Sequence, residues 1–397
     1  MIAKRRGPGG LADREPTRVA EPADAAEAAA LLRAAADAGD AVVVHGGGTL
    51  QAAANLPTRY DVALATRRLD AIHAYDPRDL TIGAGAGMTL GARATIGGTL
   101  AAGWAGPRRA TYGRPRDLVI GASAALVDGT VASSGGMVVK NVTGYDLGKL
   151  YVGSHGTLGA LVRVNLKVLT MPAARRLALA PFEPDARERV VAHAFGRAIE
   201  PVAVLLVDAA LAPRHLADGD GRPLLIALFE GSEALVDRAL RDFRSALGAA
   251  GVAETRVLDD RIAAEAFQTI VDGYVASRER SVTFLARGLP SDASARAELA
   301  RAIAPEGFGI DTIADLATGD VIVRLSWRPH HEAALPAAVA ALRGALGRAH
   351  RIAGDPHTWA AIDAWGETPA TLATMLALKA QFDPRGTLAP GRFFDEH

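Results

Sequence analysis

Two glycine-rich loops hold the residue types and spacing best suited to binding a ligand. One runs from Gly46 to Thr49, directly after the apolar stretch 41–44, and the other runs from Gly153 to Gly159. Because glycine has no Cβ, backbone N–H groups in such loops can approach a bound group closely. A strand followed at once by a glycine turn is a plausible phosphate loop, and the two loops together indicate an anionic or nucleotide-like cofactor.

A third stretch, 94–103, gathers small residues around Thr95. It fits the start of a short helix packed closely against a sheet as well as it fits a surface for a flat ring, and the residues alone favour neither. The first loop lacks the Gly-Lys-Thr of an NTPase loop and the GxGxxG of a dinucleotide fold. Kinases, ATPases and nicotinamide-binding Rossmann domains are therefore disfavoured, and a plain tight turn stays the alternative for this loop.

The composition limits the classes of function. The 397 residues exceed one ordinary core, so two domains are expected, and 49% hydrophobic with 22% charged residues is typical of a globular protein. Lysine plus arginine equal aspartate plus glutamate at 44 each, which argues against nucleic acid as a partner. The absence of cysteine excludes disulfides, thiolate zinc sites, cysteine-ligated iron–sulfur clusters and cysteine nucleophiles within this chain.

Neither a secretory signal nor a membrane helix is predicted. The basic residues 4–6 are not followed by an apolar core, and no apolar run approaches the roughly 20 residues that a spanning helix needs. We therefore expect a cytoplasmic protein without direct membrane insertion, associated with a membrane only through partners.

The elements that must position the loops follow from the periodicity. An Ala/Leu-rich helix is predicted over 22–37, ended by Gly39, with the strand 41–44 after it. Apolar residues at every second position over 161–168, with Arg163 among the polar ones between them, predict a half-buried strand after the second loop. Each glycine loop thus adjoins a strand.

Further strands are predicted nearby and in the middle of the chain. Strands are predicted at 61–66 and 80–87, on either side of a turn at 76–79, and the Asp128-Gly129 pair predicts a hairpin. From about residue 173 the chain alternates apolar strands with Ala/Leu-rich helices. That alternation predicts a second α+β domain with an antiparallel sheet.

Four motifs occur in order along the chain: VVVHGGGT, ATIGGTLAAGWAGPRRATYGRPRDLVIGASAALVDGTV, SGGMVVKNVTGYDLGKLYVGSHGTLG and the terminal FDPRGTLAPGRF. Together they resemble the FAD-binding subunits of bacterial glycolate oxidases, in the PCMH-type or vanillyl-alcohol-oxidase superfamily of flavoproteins. The resemblance is close over roughly 17–170, loose in the middle and close again in the last stretch.

The resemblance implies an α+β fold in three segments. A PCMH-type FAD-binding domain of two α+β subdomains is expected at 1–172. An α+β cap domain with an antiparallel sheet, on the substrate side of the flavin, is expected at 173–350. The segment 351–397 is expected to return to the FAD domain.

The resemblance also implies the site. FAD is expected to lie extended between the two subdomains, with its pyrophosphate on the first glycine loop. The binding is expected to be non-covalent, because His45 precedes the glycines whereas the histidines that hold FAD covalently follow a Gly-Gly pair. Lys140, Asn141 and Asp146 are matched positions without an assigned role. The residues expected to bind FAD are Gly46, Gly47, Gly48, Thr49, Thr95, Ile96, Gly97, Gly98, Ala101, Gly103, Gly153, Ser154, Gly159 and Val162.

The chain departs from the family pattern in two places. Where the family has a helix and a proline-bearing loop of about twenty residues beside the FAD, this chain has only Met88 to Arg93. The shorter connection puts flavin affinity in question. The second departure is His155, where family members carry Leu or Glu; a loop histidine held by its neighbours is expected there rather than a catalytic base.

The function implied is that of an FAD-binding subunit in a glycolate oxidase, a 2-hydroxy acid dehydrogenase complex. Such a subunit supports electron transfer from a catalytic flavoprotein subunit to an iron–sulfur subunit. Two alternatives are a structural subunit of the same fold that has lost FAD, and a self-sufficient FAD-dependent 2-hydroxy acid dehydrogenase.

No catalytic residue is assigned from the sequence. Oxidation of a 2-hydroxy acid needs a cation for the carboxylate and a base near the hydroxyl. Arg324, Arg328, His330 and His331 supply both types, but charged residues after a strand more often form a solvated face. The chain lacks the spaced histidine pair of the family's catalytic subunit, so no metal is expected.

Overall fold

The structure is a computed structural model that describes residues 10–91, 93–138, 145–194, 200–212, 216, 221–252 and 254–394. The chain forms two compact units. Unit 1 comprises Met1–Ala105, Arg114–Thr170 and Pro356–His397, and unit 2 comprises Gly106–Gly113 and Met171–Asp355. The chain therefore passes between the units four times.

The strands of the described residues fall into three sheets. They are β1 (Arg18–Ala20), β2 (Val42–His45), β3 (Val62–Ala65), β4 (Ile72–Asp76), β5 (Thr81–Gly85), β6 (Val119–Ala125), β7 (Val131–Gly135), β8 (Ala160–Lys167), β9 (Ala174–Pro181), β10 (Ala203–Val207), β11 (Leu224–Gly231), β12 (Arg256–Asp259), β13 (Ser281–Ala286), β14 (Phe308–Asp315), β15 (Val321–Trp327) and β16 (Ala349–Gly354).

The α-helices of the described residues range from single turns to long amphipathic helices. They are α1 (Ala25–Ala38), α2 (Ile96–Ala101), α3 (Arg109–Tyr112), α4 (Pro115–Leu118), α5 (Gly148–Tyr151), α6 (Arg187–Ala194), α7 (Glu233–Ala249), α8 (Asp260–Tyr274), α9 (Ala293–Ala302), α10 (Leu335–Leu346) and α11 (Leu372–Phe382). Short 3₁₀ turns lie between them, at Gln51–Ala53, Pro184–Ala186, Ala209–Leu211, Pro290–Asp292, Glu332–Ala334 and Pro356–Thr358.

Unit 1 contains two sheets, as expected for two α+β subdomains. A three-stranded parallel sheet has the order β1-β3-β2, and a five-stranded antiparallel sheet has the order β4-β5-β8-β6-β7. The predicted alternating strand is β8, at the centre of the larger sheet. The predicted hairpin is β6 and β7, joined through the turn that holds Asp128 and Gly129.

Capping residues explain where helix α1 begins and ends. Asp24 caps the first turn by accepting a hydrogen bond from the Glu27 N–H at 2.8 Å, and Gly39 ends the helix with φ at +75°. Ala28, Leu32 and others on the same stripe are buried in one cluster with residues of β2, β3 and β8. The packed helix holds the strand that leads into the first glycine loop.

The turn at 76–79 differs from the prediction. It connects β4 with β5, whereas the predicted first strand, β3, pairs in parallel with β1 and β2. The sequence does not predict β4, because this edge strand is largely exposed and Ile72 and Tyr75 face solvent. Without a buried side, a strand loses the alternation by which it is recognised.

Unit 2 is built on an eight-stranded antiparallel sheet of order β12-β9-β11-β10-β14-β15-β13-β16. Helix α7 buries Val236, Ala239, Phe243 and Leu247, spaced by three or four residues along one face. Full burial of a leucine or phenylalanine contributes about 1.5 to 3 kcal/mol. The α+β class with an antiparallel sheet in the second domain is as predicted.

The stability of unit 2 is expected to depend on the ionisation of Asp315, at the end of β14. This residue is 5% exposed, and burial raises the pKa of its carboxyl from 3.8 to about 6, against the hydrogen bonds it accepts from Thr318 and Ala317. A pKa that is higher in the folded chain favours folding when the group is protonated. The contribution is complete below the unfolded pKa and is lost as pH rises through the folded one.

We expect the Asp315 contribution to the free energy of unfolding to fall by about 3 kcal/mol as pH rises from about 3 to about 7. Urea unfolding of the wild-type protein and Asp315→Asn across this range measures it, with the exposed Asp237→Asn as the control. The Asp315→Asn protein should lose this fall in stability, and an unchanged pH profile would show that the carboxyl does not titrate in this range.

Candidate functional site

The first glycine loop lies at the end of β2 and leads into the 3₁₀ turn Gln51–Ala53. Gly48 has φ at +72°, which glycine adopts without strain. A Cβ on Gly46 would lie 2.2 Å from Thr95 Oγ1, and a Cβ on Gly47 would lie 1.5 Å from the Arg93 carbonyl oxygen. The loop therefore requires glycine, because the backbone before α2 lies directly against it.

The segment against the loop is the short connection Met88 to Thr95. It forms a tight hairpin in which the Leu90 N–H donates to Ala94 O at 2.6 Å and the Ile96 N–H donates to Met88 O at 2.8 Å. Ala92 lies outside the described residues. A guanidinium N–H of Arg93 donates to Gly47 O at 3.4 Å. The shortened connection thus covers the first glycine loop.

Helix α2 settles part of the ambiguity of the small-residue stretch. Thr95 caps the helix by accepting the Gly98 N–H at 3.1 Å. A Cβ on Gly97 would lie 2.7 Å from the Ala86 side chain, so this glycine allows the helix to pack closely on the sheet. Gly97, Gly98 and Ala101 also line a cavity. Close packing of the helix on the sheet is therefore observed, and a surface for a flat ring stays a prediction.

The second glycine loop uses part of its hydrogen-bonding capacity within the protein. The Gly153 N–H donates to Leu100 O at 2.9 Å, and the His155 N–H donates to Ala101 O at 2.8 Å. Gly153, His155 and Gly156 all have φ between +51° and +82°. These N–H groups fasten the loop to α2, so they are not donors that face a ligand.

A cavity of about 70 Å³ brings the two loops and α2 together. This volume is smaller than that of ordinary ligand sites, which is roughly 300 to 1,000 Å³. The residues that line it are Val44, Gly46, Gly47, Gly48, Thr49, Leu50, Gln51, Thr66, Thr95, Gly97, Gly98, Ala101, Ala102, His155, Gly156, Gly159, Leu161 and Arg392.

The remaining expected FAD-binding residues lie elsewhere in unit 1. Ile96 and Val162 are buried in two different apolar clusters. Gly103 approaches the second loop, since a Cβ there would lie 3.1 Å from the Gly153 Cα. Gly153 and Ser154 line a second, largely apolar cavity of about 470 Å³. The binding roles of all these residues stay predictions.

Arg392 also lines the first cavity, although the sequence did not identify it as a residue of the site. It is 2% exposed, and burial lowers its pKa to about 10, so the guanidinium stays charged at neutral pH. Nη2 donates to Gln51 O at 3.2 Å and to Gln51 Oε1 at 2.8 Å, while Nε and Nη1 have no partner among the described residues. A buried cation beside a glycine loop fits the anionic centre of a dinucleotide.

His45 is buried beside this cation and is expected to be neutral. Burial lowers its pKa to about 4, with the charges of Arg392 and Arg67 acting in the same direction. Its side chain does not line the cavity, and Nε2 has no hydrogen-bond partner in the described part of the chain. His45 therefore does not reach the cavity to bind a ligand.

His155 packs into an aromatic group with Trp365, Phe393 and Phe394. Its ring lies 5.0 Å from the Trp365 ring, edge to face, and Trp365 Nε1 donates to Arg392 O at 3.2 Å. Phe393 contacts both rings, at centroid distances of 6.4 and 4.9 Å. The histidine is held by its neighbours, as expected, and the group fixes the segment that carries Arg392.

Arg324 makes contacts separate from those of the other residues considered for binding a 2-hydroxy acid. Arg324 is buried and donates to Gly273 O at 2.7 Å, and burial together with Arg278 lowers its pKa to about 10. His331 instead contacts Phe308. Within the described ranges no hydrogen bond or ion pair joins Arg324 to Arg328, His330 or His331. Arg324 is therefore not joined to the other three candidates, and its partner on the neighbouring strand is Asp311.

Unit 2 contains a buried charge cluster that the sequence did not reveal. Glu230 accepts hydrogen bonds from Arg108 at 3.1 Å, Arg175 at 2.5 Å and the Tyr112 hydroxyl at 2.8 Å. Burial raises the pKa of Glu230, but the two arginines outweigh it and hold that pKa below its usual range. The cluster fastens the segment Gly106–Gly113 to β11 and β9.

The described residues contain neither a metal-binding cluster nor a membrane-spanning helix. No group of three or more His, Asp or Glu side chains there is placed to hold a metal ion. No helix in that part of the chain has the length and apolar character needed to cross a bilayer. Lys140 and Asn141 lie outside the described residues, and Asp146 pairs with Lys149 at 3.0 Å.

Sequence comparisons relate part of the chain to an FAD binding domain family and to named enzymes. The model of an FAD binding domain family matches residues 16–92. The glycolate oxidase subunit GlcE of Escherichia coli is 40% identical over 121 residues, 25% of this chain and 35% of that protein. The D-lactate dehydrogenase of Archaeoglobus fulgidus is 26% identical over 169 residues, 38% of each chain. This chain thus spans little more than a third of these relatives.

Structural comparison extends the likeness over nearly the whole chain. The structure of p-cresol methylhydroxylase matches with a TM-score of 0.69 and 15% identity, over 95% of this chain and 88% of that one. At this identity the likeness shows the fold alone. The family match indicates an FAD-binding domain at residues 16–92, and the structural match shows the α+β fold, both in agreement with the resemblance.

Proposed function

We propose that this chain is the FAD-binding subunit of a glycolate oxidase-type 2-hydroxy acid dehydrogenase complex. The observation that supports it best is that the glycine loop Gly46–Thr49, within the matched FAD-binding segment, shares one cavity with Thr95 and Gly98. FAD, when bound, supplies the capacity to accept and pass on electrons. The residues of this chain bind it and orient it.

The proposed partners are a catalytic flavoprotein subunit and an iron–sulfur subunit. A relative of this chain is named as a subunit of glycolate oxidase, which favours a multi-subunit assembly. The chain has no cysteine, so a cysteine-ligated cluster that accepts electrons must lie in another chain.

Within this proposal the cavity residues have distinct roles. Gly46, Gly47 and Gly48 let the loop backbone approach the pyrophosphate, where good charge-assisted hydrogen bonds are worth about 1.5 to 3 kcal/mol each. Gly98 and Ala101 bound the same space with the smallest side chains. Leu161 and Val44 supply apolar surface at the side of the cavity nearest β8 and β2.

The purified wild-type chain is expected to bind FAD non-covalently. Titration with FAD followed by gel filtration should give visible flavin absorption that elutes with the protein and is released on denaturation. The same preparation, mixed with cell extract from its source, should retain an iron–sulfur protein in a pull-down. A chain that acquires no flavin at saturating FAD contradicts the cofactor proposal.

The second candidate, a structural subunit without flavin, is favoured by one observation. The Met88 to Thr95 hairpin covers the first glycine loop, and the cavity beneath it is about 70 Å³. The titration above separates this candidate from the first. The third candidate, a self-sufficient dehydrogenase, requires dye-linked turnover of glycolate or D-lactate by the isolated chain.

A further inference from the structure

Arg392 is held in place independently of any ligand. Its own N–H donates to Ala389 O at 3.1 Å, and its carbonyl oxygen accepts from the Asn55 N–H at 3.1 Å and from Trp365 Nε1 at 3.2 Å. On the side chain, Nη2 is directed to Gln51, the residue at the start of the turn after the first glycine loop. The backbone and one nitrogen of the guanidinium are thus fixed.

The charge of this guanidinium is not compensated within the protein. Among the described residues no carboxylate forms an ion pair with Arg392, and Nε and Nη1 lack acceptors. The nearest titratable groups give no negative charge at neutral pH. Burial raises the pKa of the Tyr60 phenol above its usual range, and burial keeps His45 uncharged. A buried charge of this kind is unfavourable unless an anion joins it.

Apart from Arg392, the residues that line the first cavity include no Lys, Arg, Asp or Glu. Its other lining residues are glycines, small or apolar side chains, threonines, a glutamine and one histidine. Backbone N–H groups alone can bind a phosphate, but a guanidinium adds charge and oriented donors that match phosphoryl oxygens. Arg392 is therefore the group that can provide the cavity with a full positive charge.

We propose that Arg392 binds a phosphoryl oxygen of the FAD pyrophosphate and makes the site selective for phosphorylated ligands. The inference rests on the proposed function, since it takes FAD as the natural ligand. It assigns to the last motif of the chain, Pro390-Gly391-Arg392, a role in the site formed by the glycine loop.

The test compares ligands with and without phosphate on matched variants. FAD, ADP, inorganic pyrophosphate and riboflavin are titrated by calorimetry into the wild-type protein, Arg392→Met, Arg392→Lys and Arg385→Met. Arg385 is the control because it lies in the same segment, is exposed and pairs with Asp37 at 2.7 Å outside the cavity. Thermal melts without ligand and with FAD accompany each titration.

We expect Arg392→Met to weaken FAD and ADP binding by roughly 10- to 100-fold and to leave riboflavin binding unchanged. Arg392→Lys should recover part of the affinity, and Arg385→Met should bind as the wild type does. Because the substitution removes an uncompensated buried charge, Arg392→Met should melt without ligand at or above the wild-type temperature. The rise in melting temperature on adding FAD should shrink.

Two results overturn the inference while the proposed function stands: equal FAD affinity for wild type and Arg392→Met, or an equal loss for riboflavin and FAD. If the wild-type protein binds pyrophosphate through Arg392 and does not bind FAD, the anion site stands and the proposed FAD function fails. If wild type binds none of the phosphorylated ligands, both fail. A ligand-free Arg392→Met protein that melts far below Arg385→Met assigns the residue to folding and also overturns the inference.

Discussion

Asp383→Ala is expected to lower the free energy of unfolding by about 3 to 5 kcal/mol, because it breaks a buried ion pair. The Asp383 side chain is 0% exposed and pairs with the Lys379 ammonium. It also accepts the N–H groups of Thr387 at 2.9 Å and Leu388 at 2.6 Å. Lys379 in turn donates to Thr157 O at 2.9 Å, which ties α11 to the second glycine loop. Urea unfolding followed by tryptophan fluorescence measures the change.

Asp37→Ala is the matched control for this prediction. Asp37 also pairs with a basic residue of the C-terminal segment, Arg385, but both side chains are more than half exposed. Exposed pairs contribute little to stability, because solvent screens them. The control should therefore unfold close to the wild type. Similar stabilities for the two variants would mean that the Asp383 pair does not fasten the segment.

Gly47→Ala is expected to weaken FAD binding on the order of 5- to 100-fold and to destabilise the fold by about 1 to 3 kcal/mol. The new Cβ would lie 1.5 Å from Arg93 O and 2.5 Å from Arg93 C, which are backbone atoms. The loop or the Met88 to Thr95 hairpin must move to admit it. Either movement displaces the donors of the first glycine loop from the position that the wild-type loop gives them.

Gly136→Ala provides the control, since a Cβ there has no atom within 4 Å and its φ is not in the positive range. Calorimetric FAD titration and thermal melts of both variants give the comparison. If Gly47→Ala binds FAD as the wild type does and melts with it, the hairpin does not lie against the glycine loop in solution.

The local elements of this fold could be predicted because short-range patterns determine them. The alternation over 161–168 identifies β8, and the glycines at 39 and 129 mark a helix end and a hairpin turn. The first glycine loop and its strand could also be located, since both lie within a few residues of chain. The residues that carry the resemblance are those whose backbone roles are fixed locally.

The parts of the site that depend on distant contacts could not be predicted. Arg392 reaches Gln51 across 341 residues, and nothing in its neighbours indicates a buried, uncompensated charge. The second glycine loop was interpreted as a donor to a ligand, but two of its N–H groups bond to Leu100 and Ala101. The Glu230 cluster likewise joins residues 118 and 122 positions apart. Such pairings exist only in the folded chain.

The order of residues along the chain has a consequence for synthesis on the ribosome. β2 receives its bonds to Thr387 and Ala389 only after all of unit 2 has been translated, because Met171–Asp355 precedes the last of the three segments of unit 1. The first glycine loop is therefore synthesised early, and the Arg392 guanidinium that lines the same cavity is synthesised late. Cofactor loading is accordingly a late step of biogenesis, and a nascent chain stalled within unit 2 should retain no flavin.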